Sequence, residues 1–257
     1  MQCQNLQWLK ALIKATPLGV VLMVWTAIQP LSAQAASFSV YPTGVVFEPG
    51  TRASVIGIKN KDERPIRFQM TLVEWTQDAK GDDVYTPSND LIYFPRQLTV
   101  KPGDQAIVRV GPKNMPKDTE KTYRLKVEEL AEPIPDSKDS AIGLTITYAI
   151  PVFLGKVDIK PAASIAALAM QDGKLAATVQ NTGNSHFRIN SLEVNSADGY
   201  TQSIGGWYLL SGASRQYSLD IPPDVCRAQK RLSLHVKVGD DNFSSDLEID
   251  PSMCGTT

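Results

Sequence analysis

The chain has 257 residues, with 26 Lys and Arg against 27 Asp and Glu, for a formal charge of −1. A balance this even excludes a nucleic-acid partner held by a basic surface, because phosphate binding rests on clustered cations. At 42% hydrophobic and 21% charged residues the composition is that of a globular chain, long enough for one large or two ordinary domains.

Residues 1–36 read as a secretory signal peptide. Lys10 and Lys14 form a positive flank with no acidic residue, residues 15–28 are mostly apolar, and Ala33-Gln34-Ala35 has the small-residue pattern of a cleavage site. Cleavage is expected near Ala35 or Ala36. An uncleaved anchor is the alternative, and no later segment is apolar and long enough to span a bilayer, so stable membrane insertion is not expected. Removal of the leader takes two lysines and moves the formal charge from −1 to about −3.

From residue 38 the chain reads as short strands between turn signals. Residues 38–47 and 51–60 are the first two. Residues 65–75 alternate Ile66, Phe68, Met70 and Leu72 with Arg67, Gln69 and Thr71, a strand with one wet face. A polar turn over 77–83 is followed by strands over 91–100, 105–110 and 121–130, the last alternating Tyr123, Leu125 and Val127 with Arg124, Lys126 and Glu128. The seventh strand lies in residues 140–155, where Ile142, Leu144, Ile146, Tyr148 and Ile150 occupy one face and Gly143, Thr145, Thr147 and Ala149 the other. Such a stripe is covered either by the protein's own core or by another protein. Seven strands at this spacing, with no helical periodicity, predict an immunoglobulin-like sandwich over 37–155.

Gly155, Lys156 and Pro161 mark a connector, and residues 156–257 read as a second, smaller β-sandwich with strands over 164–169, 174–180, 187–194, 215–219 and 232–238. The fold class is therefore all-β. Once the leader is gone, Cys226 and Cys254 are the remaining cysteines. They pair as one disulfide in an exported protein, worth about 3 kcal/mol by loop-closure entropy, or stand as two buried thiols.

Motifs for chemistry are lacking. His186 and His235 have no Cys, Asp or Glu at metal-ligand spacing and read as surface or packing residues. Nothing implies a metal or a cofactor. Asp82-Asp83 and Asp240-Asp241 read as solvated turns rather than calcium ligands. The sequence has no nucleophile elbow, phosphate loop or zinc-protease motif, so no catalytic residue is assigned and the chain reads as a non-enzyme.

One set of patterns resembles a known family. Asn60-Lys61, Phe94-Pro95-Arg96, Lys101-Pro102-Gly103-Asp104-Gln105, Val108-Arg109-Val110, Tyr123-Arg124-Leu125-Lys126-Val127, Tyr148-Ala149-Ile150-Pro151-Val152-Phe153 and Asn181-Thr182-Gly183-Asn184-Ser185-His186 occur in the order seen in periplasmic fimbrial (pilus) assembly chaperones. The last two patterns are similar to the archaic branch of the chaperone-usher pathway. The resemblance implies two immunoglobulin-like domains in a boomerang and a periplasmic location in a Gram-negative bacterium. It implies fimbrial subunits as cargo and an outer-membrane usher as recipient. Binding would be donor-strand complementation through residues 141–150, with Ile142, Leu144, Ile146 and Tyr148 donated to a subunit that lacks its own last strand.

In better-known members an Arg of the first strand and a Lys of the last hold the subunit's terminal carboxylate. Residues 38–50 and 141–155 contain neither residue type. An antiparallel hairpin about a loop at 133–138 would set Arg124 opposite Thr147, making Arg124 the substitute and Lys156 the second choice; alternatively Arg124 solvates an exposed face. A secreted β-sandwich adhesin or fimbrial subunit, or a carbohydrate-binding periplasmic protein using Trp75, Trp207 and Tyr208, are the competing readings.

Overall fold

The computed structural model describes residues 37–131, 144–155 and 162–255. The signal-peptide reading, Ile142 and Lys156 lie outside these residues.

The first sandwich holds strands β1 (Phe38–Tyr41), β2 (Val45–Phe47), β3 (Ser54–Asn60), β4 (Ile66–Gln77), β5 (Asp83–Pro87), β6 (Leu91–Phe94), β7 (Gln97–Val100), β8 (Gln105–Pro112), β9 (Lys121–Glu129) and β10 (Thr147–Leu154). One sheet has the order β1-β3-β8-β6; the other has β2-β10-β9-β4-β5, with β7 also on β4. Alternation on β4 works as its sequence predicts: Ile66, Phe68, Met70 and Leu72 are all at most 5% exposed and meet Ile56, Ile58, Val108 and Val110 of the facing sheet.

Two segments that read as single strands are each split at a proline. The first crosses from the four-stranded sheet to the six-stranded one between β1 and β2, at Tyr41-Pro42, and residues 91–100 do the same between β6 and β7, at Phe94-Pro95. A residue without an N–H ends a ladder cheaply, and the chain changes sheets there. The 77–83 turn is shorter than it reads: Gln77 ends β4 and Asp83 begins β5, so the two form a hairpin.

The second sandwich holds β11 (Ala163–Gln171), β12 (Lys174–Asn181), β13 (Phe187–Ser196), β14 (Thr201–Gly205), β15 (Tyr208–Leu209), β16 (Ser214–Asp220), helix α1 (Pro223–Ala228), β17 (Arg231–Val238) and β18 (Asp241–Glu248). The sheets run β11-β12-β16 and β14-β13-β17-β18, with β15 on β13. Polar β18 escapes a hydrophobic-pattern reading because it is an edge strand, held by the full ladder to β17 and by Arg231 donating to Glu248 at 2.8 Å. Cys226 on α1 and Cys254 form the disulfide, with Cα atoms 5.7 Å apart.

A third cluster joins the sandwiches: Trp75, Phe153 and Leu210, with Tyr208 and Ala213 against them. Gln77 donates to the Tyr208 carbonyl and accepts from the Leu210 amide, both at 2.9 Å. His186 stacks on Phe153 with ring centroids 3.6 Å apart and lies 2.7 Å from the Glu120 carboxylate.

Candidate functional site

Strand β10 is paired unequally along its two edges. On one edge it runs antiparallel to β9 for its whole length, from Thr147 opposite Glu128 to Leu154 opposite Lys121. On the other, β2 pairs with it in parallel only over Val152, Phe153 and Leu154. Since β1 has already left for the other sheet, no described strand pairs with that edge between Leu144 and Pro151.

Glu129 donates its amide to the Ile146 carbonyl, so in an antiparallel ladder the even-numbered residues turn their backbone groups toward β9. Thr147 and Ala149 therefore point N–H and C=O at the open edge. Pro151 offers only a carbonyl there.

Side-chain burial changes along the same strand. Ile150, Val152 and Leu154 are at most 3% exposed and belong to the first core. Tyr148 is 39% exposed with its ring edge-on to Phe38, Ile146 is partly buried against the core, and Leu144 is 58% exposed. One stripe thus passes from the protein's own interior to open solvent where its neighbouring strand stops.

Arg124 is placed differently from the hairpin expectation. It stands opposite Pro151, not Thr147, a register four residues away, and it is 7% exposed rather than on a wet face. It is buried because β4 and the second sandwich cover it: the guanidinium carbon lies 3.7 Å from the centroid of the Trp75 ring and 5.6 Å from that of Tyr208. One terminal nitrogen donates to the Ala149 carbonyl at 3.2 Å, while Nε is buried with no hydrogen-bond partner. A cation held by aromatic faces and one carbonyl, with no carboxylate among the described residues in an ion pair with it, retains unused capacity for an anion.

Trp75, Trp207 and Tyr208 come together at the domain junction rather than in an open sugar-binding groove. Trp207 donates its indole N–H to Asp83 at 3.0 Å. Burial pushes the Asp83 carboxyl up, but the Trp75 indole and hydrogen bonds from Gln77, Trp207 and Tyr85 together outweigh it and hold the group below its ordinary pKa. Asp83 is therefore a junction residue. His235 lies on β17 between Glu193 and Ser244. Among the described residues no group of three potential metal ligands occurs, and no helix is long and apolar enough to cross a membrane.

What pattern reading missed is the junction itself. Gln77, Glu120 and His186 gain their roles from contacts across 66 to 133 residues of sequence, for which periodicity carries no signal. The one available cue was Trp75, an aromatic on the polar phase of an otherwise alternating strand.

Similar solved structures share this fold. The chaperone–tip subunit pre-assembly complex CsuC–CsuE of archaic Csu pili from Acinetobacter baumannii superposes with a TM-score of 0.59 at 20% identity, covering 82% of this chain and 98% of that one. The Salmonella enterica SafA pilin–SafB chaperone complex gives 0.54 at 16% identity, with 84% and 99% covered. The Escherichia coli chaperone DraB gives 0.53 at 16%, with 83% and 98% covered. No curated protein matches in sequence. Residues 37–155 match the family described as pili and flagellar-assembly chaperone, PapD N-terminal domain.

Proposed function

We propose that this protein is a periplasmic chaperone that captures fimbrial or pilus subunits by donor-strand complementation and hands them to an outer-membrane usher. The observation that carries the reading is the half-covered strand β10. Backbone groups of Thr147 and Ala149 face an edge that no described strand pairs, the Ala149 carbonyl being taken by Arg124 alone, and beside them Leu144, Ile146 and Tyr148 continue a core stripe past the end of their own core. An edge of this kind accepts another strand, and its apolar residues fill a partner's open interior. Ile142 extends the same phase beyond the described residues. Arg124 is the proposed contact for the subunit's terminal carboxylate, supported by its unpartnered Nε and its position beside the free edge; Lys156 is the second candidate. The similar chaperones solved with CsuE and SafA support subunits as cargo. Binding, not catalysis, is the activity proposed.

The test is Leu144→Glu. At 58% exposure the change leaves folding intact, with a melting temperature within about 2 °C of wild type. Capture of a co-expressed subunit lacking its last strand should fall at least about 100-fold, since an unpaired carboxylate would be forced into that subunit's core. A large drop in melting temperature, or undiminished capture, would defeat the assignment.

A further inference from the structure

The outer face of the four-stranded sheet is a second apolar surface, on the side of the first sandwich away from β10. Tyr41, Val55, Ile92, Phe94 and Ile107 are five of the eleven large hydrophobic residues that stand exposed among the described residues, and Phe94 is the most exposed at 74%. Their registers make them neighbours. Tyr41, Gly57 and Ile107 form one row across β1, β3 and β8; Val55, Arg109 and Phe94 form the next across β3, β8 and β6; Gly111 and Ile92 begin a third.

Two glycines shape this face. A Cβ on Gly57 would run into the Tyr41 ring, which lies across the strand there, and one on Gly111 would run into the Arg52 carbonyl. Beside Gly111 a hollow of about 230 Å³ opens between Arg52, Ile92, Phe94 and Arg109. It has the size of one or two side chains.

Charge on the face has a single sign. The four strands contain no acidic residue; Lys59 and Arg109 are their charged residues, and Arg52 borders the hollow. None of the three is paired with a carboxylate among the described residues. A face-to-face pairing of two copies would set these cations against one another, which disfavours a second copy as occupant.

We infer that this face docks a protein segment in which acidic residues alternate with aromatic or aliphatic ones, an apolar side chain entering the hollow by Ile92 and Phe94 and carboxylates meeting Arg52 and Arg109. Aliphatic and aromatic area then supplies affinity, and the cations supply selection for an acidic partner. The inference does not depend on the role of β10.

The experiment measures fluorescence anisotropy of a labelled octapeptide alternating aspartate with phenylalanine and leucine, titrated with the full chain, beside the same peptide with lysine for aspartate. The acidic peptide should bind, weaken with added salt, and lose at least about tenfold in affinity with Phe94→Ser and with Arg109→Glu, both exposed positions whose change leaves the melting temperature in place. Leu144→Glu should bind it as wild type does. Equal binding of the lysine peptide, no binding at all, or loss confined to Leu144→Glu would overturn the inference, the last by assigning the peptide to β10. Dimerisation abolished by Phe94→Ser would overturn it in favour of a second copy.

Discussion

The two halves of β10 carry the same alternation and have opposite surroundings. Ile150, Val152 and Leu154 lie under the facing sheet, and β2 closes the strand's second edge from Val152 onward. Tyr148 has the same phase and the same partner strand β9 to one side, yet is 39% exposed, and Leu144, in the same phase just ahead of β10, is 58% exposed. Side-chain chemistry does not separate them; the extent of the neighbouring strand does. Periodicity reports which face a residue takes, and only topology reports what lies against that face.

Several measurements would break or sharpen that contrast. The largest effect is expected from Ile150→Glu, six residues along the same face from Leu144. This change places a carboxylate in a site 3% exposed and should cost about 4 kcal/mol, lowering the melting temperature by roughly 10 °C, whereas Leu144→Glu leaves it in place. Similar melting of the two variants would erase the distinction between the halves. Next, replacing Cys226 and Cys254 with Ser should destabilise the second sandwich by about 3 kcal/mol while the first sandwich and its open edge persist, seen as a lower melting step with unchanged hydrogen exchange in β9 and β10. Exchange rising across β10 would tie the edge to the second domain.

Arg124→Met probes the point where the two halves meet. The guanidinium leaves one buried nitrogen unsatisfied, so an apolar replacement of similar length should change the melting temperature by only a few degrees. Subunit affinity should fall about 10- to 100-fold, the worth of a charge-assisted hydrogen bond. Unaltered affinity would transfer the carboxylate contact elsewhere, with Lys156→Ala as the next variant. The smallest effect concerns Asp83. Its pKa is lowered in the folded protein, so its contribution is present above the ordinary carboxylate value and lost as pH falls through the lowered one. The stability difference between wild type and Asp83→Asn should therefore shrink below about pH 4. A difference that stays constant from neutral pH down to pH 3 would show that the Trp207 and Gln77 contacts do not depend on that charge.

Much of this architecture is legible in the sequence, and the failures have identifiable causes. The interior phase of β4 and the stripe on β10 can be read directly because one face of each is apolar. The β9–β10 register cannot. Setting Arg124 opposite Thr147 instead of Pro151 is a slip of four residues, and an even slip keeps every side chain on its proper face, so the hydrophobic pattern is satisfied equally by both. Arg124 also reads as a solvated residue, because the aromatic rings that bury it come from a different strand and, in Tyr208, from the other domain. The sheet crossings at Pro42 and Pro95 are marked by prolines within apparently continuous strands, a signal present in the sequence but readable equally as an edge. Strand β18 offers only a broken stripe, Phe243 and Leu247 with Ser245 between them.

The short parallel contact between β2 and β10 also acts as an end-stop. A chain laid along the open edge from Leu144 has about 26 Å to run, roughly the last 17 Å of it beside β10, before it reaches Val152, where Val45 already occupies the position. Just ahead of that barrier stands Pro151, which contributes no donor, so the incoming ladder runs out of rungs at the place where it runs out of room. A strand seated there cannot slide further, and its side chains are held in one phase against Leu144, Ile146 and Tyr148. The crossing at Pro42 thereby sets a ruler for whatever strand the edge receives.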